Sequence, residues 1–258
     1  MTNLEPGISL YSEYYPNPHA KVRGTFIFIN GSGSEHRVWK NKKLLNCAKN
    51  IGSVFLYNRN GIGKSSPDLQ LSSKHPLTAK VVSDRLALLL QKLKINPPFI
   101  FVAHSHGAMY ASYFSLQNPK LVKGLLLIDP IPKDCNFSPK ILNRYKKGIE
   151  DLKSKTAVYL YKNYSGSDVE TFYQIVGLNE TKGLIKQLGD IAPAIPVTIL
   201  SSTEMNKQQL CGKSWYESQK LWLNKNPLST IIQVSSDHFI QLTKPELVCA
   251  KLRQLMSD

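Results

Sequence analysis

The sequence predicts an α/β fold, in which a mostly parallel central sheet is flanked by helices. Short apolar runs rich in β-branched and aromatic residues alternate with segments whose apolar residues recur at helical spacing. Strands that are apolar on both faces are typical of a parallel sheet that helices cover on each side. A chain of 258 residues is long enough to bury one large core. The predicted strands are Gly24–Ile29, Ser53–Tyr57, Phe99–Val102, Gly124–Ile128, Ile195–Leu200 and Ser229–Val234.

Helices are predicted between these strands and at the end of the chain. Their apolar residues recur every three or four positions, which places them on one face of a helix. Thr78 is suited to cap the N-terminus of one of them, and Pro245 is suited to the first turn of the last. The predicted helices are Trp39–Lys49, Thr78–Leu93, one that begins at Ala108, and Pro245–Met256.

The segment from residue 131 to residue 194 breaks this alternation. It is rich in Lys and Tyr and contains no convincing buried strand. Helical spacing is found at Ile141–Tyr164, Ser167–Leu178 and Thr181–Leu188. We therefore expect residues 1–130 and 195–258 to form the core, and residues 131–194 to form a helical cap inserted over the carboxyl ends of the strands.

The chain is strongly basic, with 33 Lys and Arg against 18 Asp and Glu and a net charge of +15. Such a charge raises the question of nucleic-acid or anionic-membrane binding. The basic residues are spread along the chain, however, and no RNP1 pattern, zinc-finger spacing or basic heptad array accompanies them. A solvated, lysine-rich surface is the favoured interpretation, so no nucleic-acid partner is expected.

The remaining global features predict a cytoplasmic protein without a membrane span. No apolar run approaches the roughly 20 residues that a membrane-spanning helix needs. The N-terminal stretch MTNLEPGISLYSEYYPNPHAK lacks the basic and apolar regions of a secretory signal. The four cysteines have no metal-ligand spacing, so we expect free thiols in a reducing compartment, with a disulfide as the alternative that no spacing supports; they are Cys47, Cys135, Cys211 and Cys249.

The pentapeptide Ala103-His104-Ser105-His106-Gly107 lies between a predicted buried strand and a predicted buried helix. A sharp turn at this place exposes its central side chain at the carboxyl edge of the sheet, and the next backbone N–H faces the same space. The alternative is that Ser105 only begins the helix. The position between two buried elements favours Ser105 as a nucleophile.

With this corner, the chain resembles the α/β-hydrolase superfamily over nearly its full length. The pentapeptide is similar to the family's Gly-x-Ser-x-Gly, with Ala103 in place of the first glycine. Asn30-Gly31-Ser32-Gly33 resembles the His-Gly turn that helps to form the oxyanion hole. The resemblance implies that the backbone N–H groups of Ser32 and His106 are the oxyanion donors. The stretch from residue 57 to residue 66 resembles a loop of the family that we interpret as structural.

The resemblance also implies a catalytic base and a catalytic acid. His238 follows the last predicted strand, in a stretch similar to the family's histidine loop, and is expected to be the base. Most of the superfamily places the acid after the penultimate strand, where Glu204 is the only carboxylate. A minority branch, which includes haloalkane dehalogenases, places it after the preceding strand, where Asp129 lies. Asp129 is favoured and Glu204 is the alternative, while Asp237 is interpreted as a loop residue.

The implied activity is hydrolysis of a carboxylic ester or related acyl bond through an acyl-enzyme intermediate. The substrate would be a small acyl compound, and neither a metal nor an organic cofactor is needed. Ser105 excludes haloalkane dehalogenases and epoxide hydrolases, which use an aspartate as the nucleophile. The alternative is a ligand receptor or regulatory binding protein of the same fold with little turnover. The sequence names neither the substrate nor the oligomeric state.

Overall fold

The computed structural model describes residues 1–136, 150–208, 211 and 214–257. Its strands are β1 (Thr2–Glu5), β2 (Ile8–Leu10), β3 (Ser12–Tyr15), β4 (Thr25–Ile29), β5 (Ser53–Tyr57), β6 (Phe99–His104), β7 (Val122–Ile128), β8 (Val197–Ser202) and β9 (Thr230–Val234). Seven of them form one sheet with the order β3-β5-β4-β6-β7-β8-β9, and β1 pairs with β2 in a separate hairpin. Within the large sheet only β3 runs antiparallel to its neighbour.

Helices connect the strands and close the chain. Those with described bounds are α1 (Lys42–Ile51), α2 (Ala79–Lys92), α3 (Gly107–Gln117), α4 (Ala157–Asn163), α5 (Gly166–Val176), α6 (Leu178–Leu188), α7 (Thr203–Asn206), α8 (Trp215–Gln219), α9 (Ile240–Thr243) and α10 (Pro245–Ser257). The side chain of Thr78 accepts a hydrogen bond from the Val81 N–H and caps α2, as predicted. Short 3-10 turns occur at His36–Trp39, Pro119–Leu121 and Lys220–Trp222.

This architecture confirms the predicted α/β fold with a mostly parallel sheet. The six predicted strands correspond to β4 through β9, and their ends agree to within a few residues. The three N-terminal strands were not predicted, because they are short and half-exposed and so lack a continuous apolar run. Between β7 and β8 the described residues are helical at α4, α5 and α6, while part of the first predicted helix there lies outside the described residues.

The order of the strands creates a crevice where two neighbouring connections diverge. β4 lies between β5 and β6. The chain leaves β4 towards β5 on one side, and leaves β6 towards β7 on the other. In open α/β sheets such a switch point, at the carboxyl ends of the strands, is where ligands bind. The loop after β4 and the turn after β6 therefore meet at the position where a site is expected.

The two faces of the sheet are covered by different helices. Ile27, Phe101 and Leu127 point to the face that packs against α2 and α3. Alternate residues such as Phe28 and Val102 point to the opposite face, which α1 and α10 cover. Successive side chains of a strand point to opposite faces, so a strand buried on both sides must be apolar throughout. This physical requirement explains why the strands were recognisable in the sequence.

The prediction of free cysteines is wrong. Cys47 on α1 is disulfide-bonded to Cys249 on α10, with their Cα atoms 6.0 Å apart. Cys135 is bonded to Cys211 at a Cα separation of 4.9 Å. The partners are 202 and 76 residues apart in the sequence, so no local spacing could reveal them. Packing of α1 against α10 brings the first pair together, and the second pair joins the β7–β8 connection to the β8–β9 connection.

Within the described ranges, no helix combines the length and the apolar character that crossing a lipid bilayer requires.

Candidate active site

Ser105 occupies the turn between β6 and α3 with an unusual backbone conformation. Its φ angle is +53°, in the left-handed region that residues other than glycine rarely adopt. The turn is held because the Ser105 N–H donates to the Ile128 carbonyl at 3.0 Å and the Ile131 N–H donates to the Ser105 carbonyl at 3.2 Å. Ser105 is only half-buried. Backbone strain of this kind persists where the surrounding structure enforces it, and it clusters at functional sites.

Two glycines allow the neighbouring backbones to approach this turn. A Cβ atom on Gly107 would lie 2.7 Å from the Asn30 carbonyl oxygen, so α3 begins directly against the end of β4. A Cβ atom on Gly31 would lie 3.2 Å from the Cβ of Ser105. The loop after β4 is therefore packed against the serine. Among the described residues no group accepts a hydrogen bond from the backbone N–H of Ser32 or His106. His106 directly follows Ser105, and Ser32 directly follows Gly31, whose backbone is packed against the Ser105 side chain.

His238 and Asp129 are paired through their side chains. The Nδ1 atom of His238 lies 2.6 Å from Oδ2 of Asp129. The carboxylate is fully buried, whereas the His238 side chain is 23% exposed. Asp129 follows β7 with a φ angle of +41°, and its N–H donates to the Leu200 carbonyl at 2.7 Å. The sheet therefore brings the favoured acid to the favoured base.

The second oxygen of Asp129 accepts three further hydrogen bonds. They come from the Ser202 backbone N–H at 3.0 Å, the Trp215 Nε1–H at 2.8 Å and the Gln219 amide at 3.1 Å. Trp215 and Gln219 are buried one turn apart on α8. They were not singled out in the sequence, because a tryptophan and a glutamine on a short helix carry no signal until the carboxylate that they contact is known. Hydrogen bonds to both oxygens fix the orientation of this buried carboxylate.

Glu204 is not brought to His238. It lies on α7, exposed to solvent, and its Oε1 accepts a hydrogen bond from Lys207 Nζ at 2.7 Å. Asp237 accepts a hydrogen bond from the backbone N–H of Phe239, which agrees with its interpretation as a loop residue. Ser202 ends the strand after which the family usually places its acid. In this chain that strand end contributes a backbone donor to Asp129 instead.

His104 links the serine turn to the histidine loop. Its Nε2 lies 2.9 Å from the His238 carbonyl oxygen, and the two imidazole rings are 4.5 Å apart. Since a carbonyl only accepts hydrogen bonds, His104 carries a proton on Nε2. Burial lowers the pKa of His104 to about 3, and the proximity of His238 acts in the same direction. Burial, together with the positive charge of Arg59, also lowers the pKa of His106 to about 3.

These two histidines predict that the protein loses stability in mild acid. Their pKa values in the folded protein lie below the ordinary value of 6.5. Between about pH 6.5 and pH 3, these histidines therefore bind protons in the unfolded chain but not in the folded protein. The free energy of unfolding is therefore unaffected by these two histidines above pH 6.5, and it decreases as the pH falls from 6.5 towards about 3. Each histidine contributes about 1.4 kcal/mol per pH unit within this window. Urea unfolding between about pH 7 and pH 5 measures the slope. His106→Gln should reduce the slope by about half, and an unchanged slope would contradict the assignment.

Nothing in the described part of the chain suggests a metal centre. Within those residues, no three His, Cys, Asp or Glu side chains lie close enough together to hold an ion.

Comparison with known proteins identifies the family. A family model described as the alpha/beta hydrolase fold matches residues 24–181, and the chain belongs to this family. The uncharacterized protein YqjL of Bacillus subtilis is 26% identical over 242 residues, covering 89% of this chain and 85% of YqjL. Cfl2 from Burkholderia cenocepacia shares the fold with a TM-score of 0.68 at 18% identity, covering 97% and 92% of the two chains. A thermophilic esterase from Thermogutta terrifontis has a TM-score of 0.62 at 16% identity, covering 97% and 93%.

Proposed function

We propose that the protein is a serine hydrolase that cleaves a carboxylic ester or related acyl bond through an acyl-enzyme intermediate. The observation that carries this proposal is the 2.6 Å hydrogen bond between His238 Nδ1 and Asp129 Oδ2, beside a strained serine turn. An acid on the far nitrogen of a histidine leaves its Nε2 free to take a proton from a nucleophile. Ser105, His238 and Asp129 are the proposed triad, and Glu204 has no part in it.

The proposed reaction begins when Ser105 Oγ attacks the acyl carbonyl carbon. His238 Nε2 takes the hydroxyl proton, and Asp129 stabilises the imidazolium that results. The negative charge on the former carbonyl oxygen is stabilised by the N–H groups of Ser32 and His106, and losing one such donor costs about 3 kcal/mol. His238 then protonates the leaving alcohol or amine. In the second half, His238 activates a water that releases the acid and restores Ser105.

The segment from residue 131 to residue 194 is proposed to act as a cap over this site. Support comes from its first residue, because the Ile131 N–H donates a hydrogen bond to the Ser105 carbonyl. Further support comes from α5, whose Ser167 hydroxyl donates to the Gly33 carbonyl at 2.7 Å beside the proposed oxyanion donor. A cap attached at these two points would form one wall of the acyl pocket and select the small-molecule substrate.

The cytoplasmic location stays a prediction. Its argument from free thiols no longer holds, since all four cysteines are in disulfides. Disulfides are typical of oxidising compartments and are rare where glutathione keeps thiols reduced. Counting free thiols in protein that is alkylated as the cells are opened would decide between the two environments.

Labelling with a fluorophosphonate probe tests the proposed function. The probe should form one covalent adduct, which mass spectrometry of the digested protein locates on Ser105. Ser105→Ala should remove the adduct, and His238→Ala should slow its formation by several orders of magnitude, because the hydroxyl loses its base. Thermal unfolding of both variants controls for misfolding. If the folded native protein takes up no probe and hydrolyses no short-chain ester, the ligand-receptor alternative takes first place.

A further inference from the structure

A buried ion pair lies beneath the loop that carries Ser32. The guanidinium of Arg59 donates from Nε to Glu170 Oε1 at 2.6 Å and from Nη2 to Glu170 Oε2 at 2.8 Å. Their side chains are 3% and 0% exposed. Arg59 belongs to the loop after β5, which the sequence analysis interpreted as structural, and Glu170 lies on α5. The pair therefore joins the β7–β8 connection to the sheet.

The same pair forms hydrogen bonds with the backbone on both sides of Ser32. Arg59 donates to the carbonyl oxygens of Asn30 and Gly31, each at 2.7 Å. On the other side, the Gly33 N–H donates to Glu170 Oε2 at 2.8 Å. Three consecutive peptide groups of this loop thus each form a hydrogen bond with this one ion pair.

Peptide geometry converts these bonds into an orientation for the Ser32 N–H. A trans peptide is planar, and its C=O and N–H point in opposite directions. Because the Gly31 carbonyl points at Arg59, the N–H of Ser32 in the same peptide points away from Arg59. Because the Gly33 N–H points at Glu170, the Ser32 carbonyl points away from Glu170. Gly31 itself is packed against the Cβ of Ser105.

Glu170 favours the charged form of the Arg59 guanidinium. Burial acts to lower the pKa of Arg59, but the attraction and hydrogen bonds of Glu170 outweigh it and raise the pKa above its ordinary value. Removing one partner alone would leave an uncompensated buried charge, which strongly destabilises a fold. Replacing both charges with apolar side chains of similar size is commonly tolerated.

We propose that Arg59 and Glu170 are positioning residues that hold the Ser32 N–H in place to stabilise the oxyanion, so that the α5 helix completes the reactive site. This inference rests on the proposed function. Arg59 and Glu170 contact no reacting atom and act through the backbone of residues 30–33. The alternative is a purely structural ion pair, which contributes to the stability of the fold and has no effect on the Ser32 N–H.

The test compares two double variants. Arg59→Met with Glu170→Met removes the proposed clamp. Arg85→Met with Asp68→Leu removes another pair, in which Arg85 Nη1 lies 2.7 Å from Asp68 Oδ2 with side chains 11% and 2% exposed. The described contacts of this control pair do not include the loop of Ser32. We expect the first variant to lose about 10²- to 10³-fold in kcat, as for one missing oxyanion donor, with little change in KM. The control should keep its kcat to within about threefold.

A thionoester provides a readout that stability alone would not move. Sulfur is a weak hydrogen-bond acceptor, so a thionoester gains little from an oxyanion donor. The native enzyme should therefore prefer the oxygen ester strongly, and the Arg59→Met/Glu170→Met variant should lose most of that preference. Glu170→Gln, which keeps one acceptor oxygen, should give an intermediate value. An unchanged ester-to-thionoester ratio in the folded double variant would overturn the proposal.

The orientation of the Ser32 N–H can also be measured without turnover. Its residual dipolar coupling, recorded in weakly aligned native protein and in the two double variants, should change only when the Arg59–Glu170 pair is removed. If the native protein labels with fluorophosphonate and this coupling is the same in all three proteins, the positioning inference fails while the serine-hydrolase proposal stands. If the native protein does not label, the proposed function fails. In that case the coupling alone decides whether the pair orients the loop.

Discussion

Asp129→Asn is expected to lower kcat for ester hydrolysis by roughly 10⁴-fold, as tautomer errors do in serine hydrolases. The reason lies in the three donors that point at Asp129 Oδ1, from Ser202, Trp215 and Gln219. These donors require an acceptor, so the amide oxygen of the new side chain takes the position of Oδ1 and its NH₂ group faces His238. The imidazole must then accept at Nδ1 and carry its proton on Nε2, so it cannot take the proton of Ser105. Steady-state kinetics with a short-chain ester measure the loss.

Glu204→Gln is the matched control for that experiment. Glu204 is exposed and paired with Lys207, so its replacement should change kcat by less than about twofold. Asp129→Asn keeps the size of the side chain and the acceptor for its three donors, and its unfolding temperature should stay near the native one. Loss of activity in Glu204→Gln with retention in Asp129→Asn would reverse the assignment of the acid.

Removing the disulfide between α1 and α10 is expected to lower the free energy of unfolding by about 2–5 kcal/mol. Cys47 and Cys249 lie 202 residues apart, so the bond closes most of the chain into one loop and restricts the unfolded state strongly. Urea unfolding of Cys47→Ser with Cys249→Ser measures the change. In the chain-entropy model the matched variant Cys135→Ser with Cys211→Ser, whose loop spans 76 residues, should lose about 1 kcal/mol less.

Thiol counting controls this prediction independently of stability. The native protein, unfolded without reductant, should contain no reactive thiol, and all four cysteines should react after reduction. Four thiols in unreduced protein from an oxidising preparation would contradict both disulfides. Reduction should then leave the urea midpoint unchanged.

The strands and the reactive turn were recognisable because local sequence encodes them. β6 is buried on both faces, so its residues had to be apolar in an unbroken run. Gly107 and the small Ala103 mark a corner where α3 packs against β4 at van der Waals distance. The choice between Asp129 and Glu204 was less determined, because each follows a strand and only the final hydrogen bond distinguishes them.

By itself, the sequence of this protein determined the strands β4 to β9, the longer helices α1, α2, α3, α5, α6 and α10, and where a serine turn and a histidine loop lie along the chain. The spacing of apolar residues and the residues at turns mark these features locally. Only the tertiary structure decided that His238 meets Asp129 across 109 residues, and that α8 supplies two donors to that carboxylate. The Arg59–Glu170 pair and both disulfides also join residues that are far apart in the sequence. Such contacts depend on the order and register of the strands, which bring distant residues to one edge of the sheet and leave no periodic trace in the sequence.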